Sequence, residues 1–224
     1  MKKLLGSLFL ALVLSGCAGV PFEPVHLSSV QGLNTQEVLQ DFKAKLADHF
    51  SVLESAVLHY RGREMTLLGY SEVDEKADAF AVAGVTPVGV KLFEVKMAKG
   101  DLKYSFAFPQ MKKNADPQKI AEALAADIRR IYLGRIPAAG TQVVRLKDRI
   151  CYRQASGKGT LEFIFGGPGT YLIEKRYWEG RHKIWRVRYF EYKASGAKIY
   201  PSKIFFEHQD WKYKVTLRLK EILA

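Results

Sequence analysis

The shortness of the connections decides what this chain can fold into. Five strand-like runs, His49–Tyr60, Arg63–Val73, Asp78–Val85, Val90–Met97 and Leu102–Phe108, are separated by only two to four residues. The links carry turn chemistry: Arg61-Gly62, Asp74-Glu75-Lys76, Thr86-Pro87-Val88-Gly89 and Lys99-Gly100-Asp101. Parallel neighbours need a crossover of about a dozen residues or more, so links this short demand an antiparallel meander.

Strand patterns return after residue 140, at about Thr141–Arg145, Ile150–Gln154, Gly159–Phe165, Thr170–Trp178, Lys183–Tyr192, Ser202–His208 and Trp211–Leu219. The last is the most regular. Trp211, Tyr213, Val215, Leu217 and Leu219 alternate with Lys212, Lys214, Thr216, Arg218 and Lys220, so one face is apolar and the other cationic. In Lys183–Tyr192, Trp185, Val187 and Tyr189 share one side and Arg186 and Arg188 the other.

Two helices interrupt the strands. Asn34, with Glu37 three residues on, has the form of a capping box, and Val38, Leu39, Phe42 and Leu46 make a stripe that fades near Asp48. Asp116-Pro117 opens the second helix with a cap and a proline at its first position. Ile120, Leu124, Ile128 and Ile131 form its apolar stripe, Gly134 ends it and Pro137 prevents resumption. An antiparallel sheet of this size must curl, and the helices must bury their stripes somewhere. The expected fold is α+β and mainly antiparallel β: one strongly curved half-barrel of about eleven strands, with helices covering the concave side.

The N-terminus carries an address. Lys2 and Lys3 precede an apolar run to Leu14, too short for a bilayer span, and Leu14-Ser15-Gly16-Cys17 follows. This resembles the bacterial lipoprotein signal, which implies cleavage before Cys17, acylation (palmitate among the chains) of that residue, and anchoring. The absence of Asp at Ala18 implies delivery to the periplasmic face of the outer membrane. The expected organisation is a signal peptide over 1–16, a lipidated tether over 17–33 and one folded domain over 34–224. If Cys17 is acylated, Cys151 has no partner and is expected to be buried and inert.

A formal net charge of +12 on an exported chain argues against nucleic acid and for anionic lipid or an acidic partner. His26, His49, His59, His182 and His208 show no metal-ligand spacing, and there is no G-x-S-x-G. Glu94, Glu162 and Glu174 alternate with apolar residues and read as solvent-facing. No catalytic group, metal or cofactor is implied, and the chain is not expected to be an enzyme. The aromatics crowding the later strands serve either a packed core or the lining of an apolar pocket.

From about Phe80 onward the order of signals resembles the lipoprotein-localisation family, LolA and LolB, and LolB more closely. Four stretches carry it: Ala83–Val90 with its Pro87-Val88-Gly89 tip, the helix Asp116–Gly134, the Trp-containing hairpin Tyr171–Tyr192, and Tyr200–Leu219. The order is also similar to a lipoprotein family that accompanies fatty-acid-type biosynthesis genes. The resemblance implies an apolar cavity for acyl chains within a curved sheet, and a turn, here Pro87, Val88 and Gly89, that touches the membrane. Valine stands where the receptor has a larger leucine. The cavity lining is expected from Phe106, Phe108, Ile120, Leu124, Ile128, Phe163, Phe165, Trp185, Tyr189, Trp211, Tyr213 and Val215. The implied partners are an acylated lipoprotein or lipid cargo, outer-membrane lipids and a periplasmic LolA-like carrier. Two other readings stand beside this: an anchored structural subunit docking through the basic face of Lys212, Lys214, Arg218 and Lys220, and a lipid hydrolase, which needs a nucleophile beside a base.

Overall fold

The computed structural model describes residues 20–107 and 116–223. The expected signal peptide, Cys17 and Phe108 lie outside the described residues. The strands are β1 (His49–Tyr60), β2 (Arg63–Asp74), β3 (Ala79–Val85), β4 (Lys91–Ala98), β5 (Asp101–Phe106), β6 (Gln142–Arg145), β7 (Arg149–Ser156), β8 (Gly159–Gly166), β9 (Tyr171–Glu179), β10 (His182–Ser195), β11 (Lys198–His208) and β12 (Tyr213–Leu223). Helix α1 (Thr35–Lys45) precedes β1, and α2 (Pro117–Tyr132) connects β5 to β6.

The twelve strands make one antiparallel sheet, in the order β5-β4-β3-β2-β1-β12-β11-β10-β9-β8-β7-β6. Two meanders are thus stitched together where β1 meets β12, from Ser51 opposite Leu223 to Tyr60 opposite Tyr213. The end strands β5 and β6 are not paired with each other, so the sheet is unclosed. It is also curled. Val95 on β4 and Ile150 on β7 belong to one continuous core. With about 4.8 Å between neighbouring strands, a flat sheet would hold them far apart. Bulges in the β1–β12, β3–β4, β8–β9 and β9–β10 ladders bend the strands locally.

The turns follow their residues. Arg61-Gly62 and Lys99-Gly100 both take positive φ at both positions, the backbone of a two-residue type I′ hairpin. Several boundaries shift from the sequence pattern, two of them for a local reason. Trp211 and Lys212 belong to a turn, closed by Lys212 N–H to Gln209 O, so β12 starts at Tyr213. Strand β11 starts at Lys198, four residues early, and contains Pro201. Its ladder to β12 begins only at Lys203, so Pro201 sits where no β12 hydrogen bond is lost.

Both helices send side chains into this core. Asn34 caps α1, accepting from Gln36 N–H at 2.9 Å and donating to Glu37 at 3.0 Å. Phe42 is fully buried and packs edge-on against Phe165. Asp116 caps α2, accepting from Gln118 N–H at 3.0 Å. Its Ile128, Ile131 and Tyr132 are buried.

The segment before α1 departs from expectation. Residues 20–33 do not dangle as a tether but lie along the sheet. Phe22 packs with Phe190 and Phe205, which are out of phase with the inward Tyr189 and Ile204 and so mark the outer face. Lys203 and Arg218 stand over the Phe22 ring at 5.5 and 5.4 Å. Farther on, Val30 N–H donates to Lys147 O at 3.1 Å, Val30 enters the main core, and Arg145 donates to Leu33 O at 2.8 Å. The two prolines remove regular structure, but they do not prevent apolar side chains between them from finding apolar partners.

Candidate functional site: an apolar cavity beside α2

A cavity of about 540 Å³ opens between α2 and the inward faces of β1, β2, β3, β4, β5 and β12. It lies in the range typical of small-molecule and lipid pockets, about 300–1,000 Å³. Alternation builds its walls. Along β1 the residues Glu54, Ala56, Leu58 and Tyr60 line it, each two apart and hence on one face. Opposite them α2 contributes Ile120, Leu124, Ile128 and Ile131, one stripe at helical spacing.

Small residues leave the room. Ala56, Gly69 and Gly84 all face this space. At Gly84 a Cβ would sit 2.3 Å from the Phe93 ring, and at Gly69 it would sit 2.8 Å from Glu54. Each glycine therefore lets a neighbouring strand's side chain lie flat across it.

Seven of the residues expected to line a pocket do so: Phe106, Ile120, Leu124, Ile128, Trp211, Tyr213 and Val215. Phe163, Phe165, Trp185 and Tyr189 are placed elsewhere, packed among themselves and with α1 and α2 in solid core. They are inward by alternation, but they are packed against one another, and only Tyr189 of the four also borders a second cavity, of about 340 Å³, beside the Gly166–Gly169 loop. Glu54, Gly69 and Gly84 were not anticipated. The available signal was phase: Glu54 keeps step with Phe50, Val52, Ala56 and Leu58.

Glu54 is one of four charged residues in a wall that is otherwise apolar or aromatic, with Asp116, Lys119 and Asp127. Tyr132 Oη hydrogen-bonds its Oε2, and Ser71 Oγ donates to its Oε1 at 3.1 Å. Burial raises the pKa of the Glu54 carboxyl against the pull of these two bonds. Burial and Glu54 together hold the Tyr132 hydroxyl well above its ordinary range. Asp127, on α2 and also in the wall, is pushed up to about 6 by burial, opposed by Arg130. Ser71 is fully buried beside Glu54.

The C-terminal end of α2 is pinned. Lys175 on β9 donates to Arg130 O at 2.9 Å and Leu133 O at 2.8 Å, and Tyr189 donates to Ile131 O at 3.0 Å. Burial pushes Lys175 down to about 7. The N-terminal end of the helix, from Asp116 to Leu124, faces the cavity.

Near the rim, Gly89 N–H donates to Thr86 O at 2.9 Å, closing the Thr86-Pro87-Val88-Gly89 turn and leaving Val88 85% exposed. Tyr60 and Trp211, 42% and 50% exposed, belong both to the rim and to the wall. The outer face is less cationic than its lysines and arginines suggest. Glu162 takes Arg153 and Arg176 at 2.6 and 2.5 Å and Trp178 Nε1 at 3.1 Å. Glu174 pairs with Arg176 and Arg188, and Glu207 with Arg186. Glu162 and Glu174 are thus on the outward side, as their phase implies, but shielded by these partners. Cys151 is buried, and burial raises its thiol pKa. Among the described residues no group of three or more His, Cys, Asp or Glu could hold a metal ion, and no helix is long and apolar enough to cross a membrane.

No family model matches the sequence, and no curated protein sequence matches it. Solved structures do match. A LolA superfamily protein from Nitrosomonas europaea superposes with a TM-score of 0.52 at 10% identity, over 85% of this chain and 93% of that one. A putative outer membrane lipoprotein-sorting protein domain from Vibrio parahaemolyticus gives 0.50 at 8%, over 84% and 90%. A DUF1329 family protein from Desulfovibrio piger gives 0.51 at 7%, over 83% and 90%. At these identities the likeness is one of fold.

Proposed function

We propose that this protein is an outer-membrane lipoprotein, anchored on the periplasmic side through acylated Cys17, that takes the acyl chains of a lipoprotein or lipid into the cavity and releases them to the membrane. The observation that carries this reading is the cavity itself: about 540 Å³ walled almost entirely by apolar side chains. Along β1 it runs from Glu54 to Tyr60. At ~3.3 Å per residue that is about 20 Å. One acyl leaflet, half of a ~30 Å hydrocarbon core, is about 15 Å. A long chain therefore fits lengthwise.

The drive is exchange between two apolar places. Each CH₂ out of water is worth about 0.8 kcal/mol in either, so the step between them needs no energy-coupling chemistry. The Val88 turn follows directly on the Gly84 wall, where an apolar tip touches lipid as cargo leaves. The likeness to a lipoprotein-sorting domain supports this reading, and a LolA-like carrier is the delivering partner it calls for. Residues 1–16 act as the cleaved signal.

The test is direct. A full chain carrying Cys17→Ala is purified from the periplasm, extracted with organic solvent and analysed by mass spectrometry. Co-purified long-chain lipid, lost on filling the cavity, is expected. Protein that neither carries nor takes up any lipid overturns the reading.

A further inference from the structure

The hairpin turns divide the sheet into two unlike ends. Successive turns of an antiparallel meander fall at alternate ends. Tyr60 stands opposite both Arg63 and Tyr213, so the β1–β2 and β11–β12 turns share one end. The β3–β4, β7–β8 and β9–β10 turns fall there too. This is the end at which Tyr60 and Trp211 form the cavity rim.

Charge follows the same division. The turns at the rim end hold four cations, Arg61, Lys158, Arg181 and Lys212, and one acid, Asp210. The turns at the opposite end hold three of each: Lys76, Lys99 and Lys147 against Glu75, Asp78 and Asp148. Pairing differs as well. Asp210 is taken by His182 at 2.6 Å, and none of the four rim cations makes an ion pair among the described residues. At the opposite end Lys76 meets Asp48 at 2.7 Å, and Arg129 holds Asp78 at 2.6 Å.

Aromatic rings stand among the rim cations. Trp211 lies flat on His208, the ring centroids 4.8 Å apart and the planes within 10°, and half of its surface is exposed. Arg61 covers the Tyr60 ring at 5.1 Å. The exposed Val88 tip belongs to the same end, and the β1–β2 turn lies between it and the Trp211 turn. Amphipathic rings settle at the headgroup level of a membrane, and cations beside them meet anionic headgroups.

We infer that the rim end docks on an anionic lipid bilayer, cavity towards the surface, through Arg61, Lys158, Arg181 and Lys212 together with Tyr60 and Trp211. The inference rests on the carrier reading for the cargo alone; docking needs only these charges and rings. It makes the Val88 turn one lip of two.

The experiment is sedimentation of the Cys17→Ala full chain with phosphatidylcholine vesicles, with and without phosphatidylglycerol. Binding to the anionic vesicles only, weakened by salt, is expected. Two triple variants change the net charge equally. Arg61→Glu with Arg181→Glu and Lys212→Glu, at the rim end, should weaken binding about tenfold. Lys76→Glu with Lys99→Glu and Lys147→Glu, at the opposite end, should weaken it less than about threefold. Both should still bind the apolar fluorophore N-phenyl-1-naphthylamine, which reports the cavity. Equal losses in the two triples, or no binding to anionic vesicles, overturn the inference and leave the carrier reading intact. Should a triple lose the fluorophore, brominated phosphatidylglycerol decides: it should quench the tryptophan emission of the parent, and quenching undiminished in Trp211→Phe overturns the inference. A parent chain that takes up neither fluorophore nor lipid overturns the carrier reading alone.

Discussion

The two halves of the sheet are built alike and filled differently. In the half made by β7 to β11, inward positions hold Tyr152, Phe163, Phe165, Trp185 and Tyr189, and Phe42 of α1 plugs what remains. In the half made by β1 to β5 with β12, inward positions hold Ala56, Gly69 and Gly84, and side chains of α2 line the same space. Strand order, pairing and alternation are the same on both sides. A pocket appears where the inward side chains are small. Side-chain volume, rather than topology, separates scaffold from site.

The largest test of this contrast is truncation. Phe165→Ala should cost about 3–5 kcal/mol, because a rigid, filled core cannot close over the void. Leu58→Ala, on a wall that already faces empty space, should cost under about 2 kcal/mol. Urea denaturation of both measures the difference, and equal losses would erase the distinction between the halves.

A second test uses pH. Lys175, held at about 7 in the folded protein against 10.5 for the free side chain, is neutral when folded but charged when unfolded across that window. The unfolded state binds the extra proton, so stability rises as pH climbs from about 7 towards 10, by at most about 1.4 kcal/mol per pH unit. Lys175→Met should remove that rise. An unchanged slope would mean that the end of α2 is not held by a buried amine.

A third works on the hollow side. Ala56→Phe puts an aromatic ring into the cavity and should weaken fluorophore binding about tenfold, about 1.4 kcal/mol, while the melting temperature stays close to that of the parent. The smallest effect belongs to the rim. Val88→Asp should alter stability by no more than about 0.5 kcal/mol, yet reduce sedimentation with anionic vesicles several-fold. Undiminished vesicle association would remove the turn from the membrane contact.

Much of the fold was legible because short turns leave an antiparallel chain few choices. Arg61-Gly62 and Lys99-Gly100 mark hairpins by composition alone, and the alternation from Tyr213 to Leu219 tells inside from outside. The site was legible only in outline. Ile120, Leu124, Tyr213 and Val215 declare themselves inward by period, and they do line the cavity. Phe163, Phe165, Trp185 and Tyr189 declare themselves the same way, but periodicity carries no information about whether a helix fills the space in front of them. The hollow is made by Gly69 and Gly84, and missing side chains leave no periodic mark. Glu54 is hard to place from sequence because Leu53 and Val57 on the opposite face of β1 blur the alternation. The run from Val20 to Leu33 lacks period too, yet single residues such as Phe22 and Val30 dock it.

That docked run changes how the protein would ride on a bilayer. A loose stretch of 16 residues would be a leash of roughly 50 Å, letting the body tumble above the surface. With the chain already fastened at Val20 and Phe22, only two residues, Ala18 and Gly19, lie between the body and Cys17, a reach of about 10 Å. An acyl group at Cys17 would then work as a short hinge on the convex flank, and cargo would leave by a rocking of the whole body against the membrane.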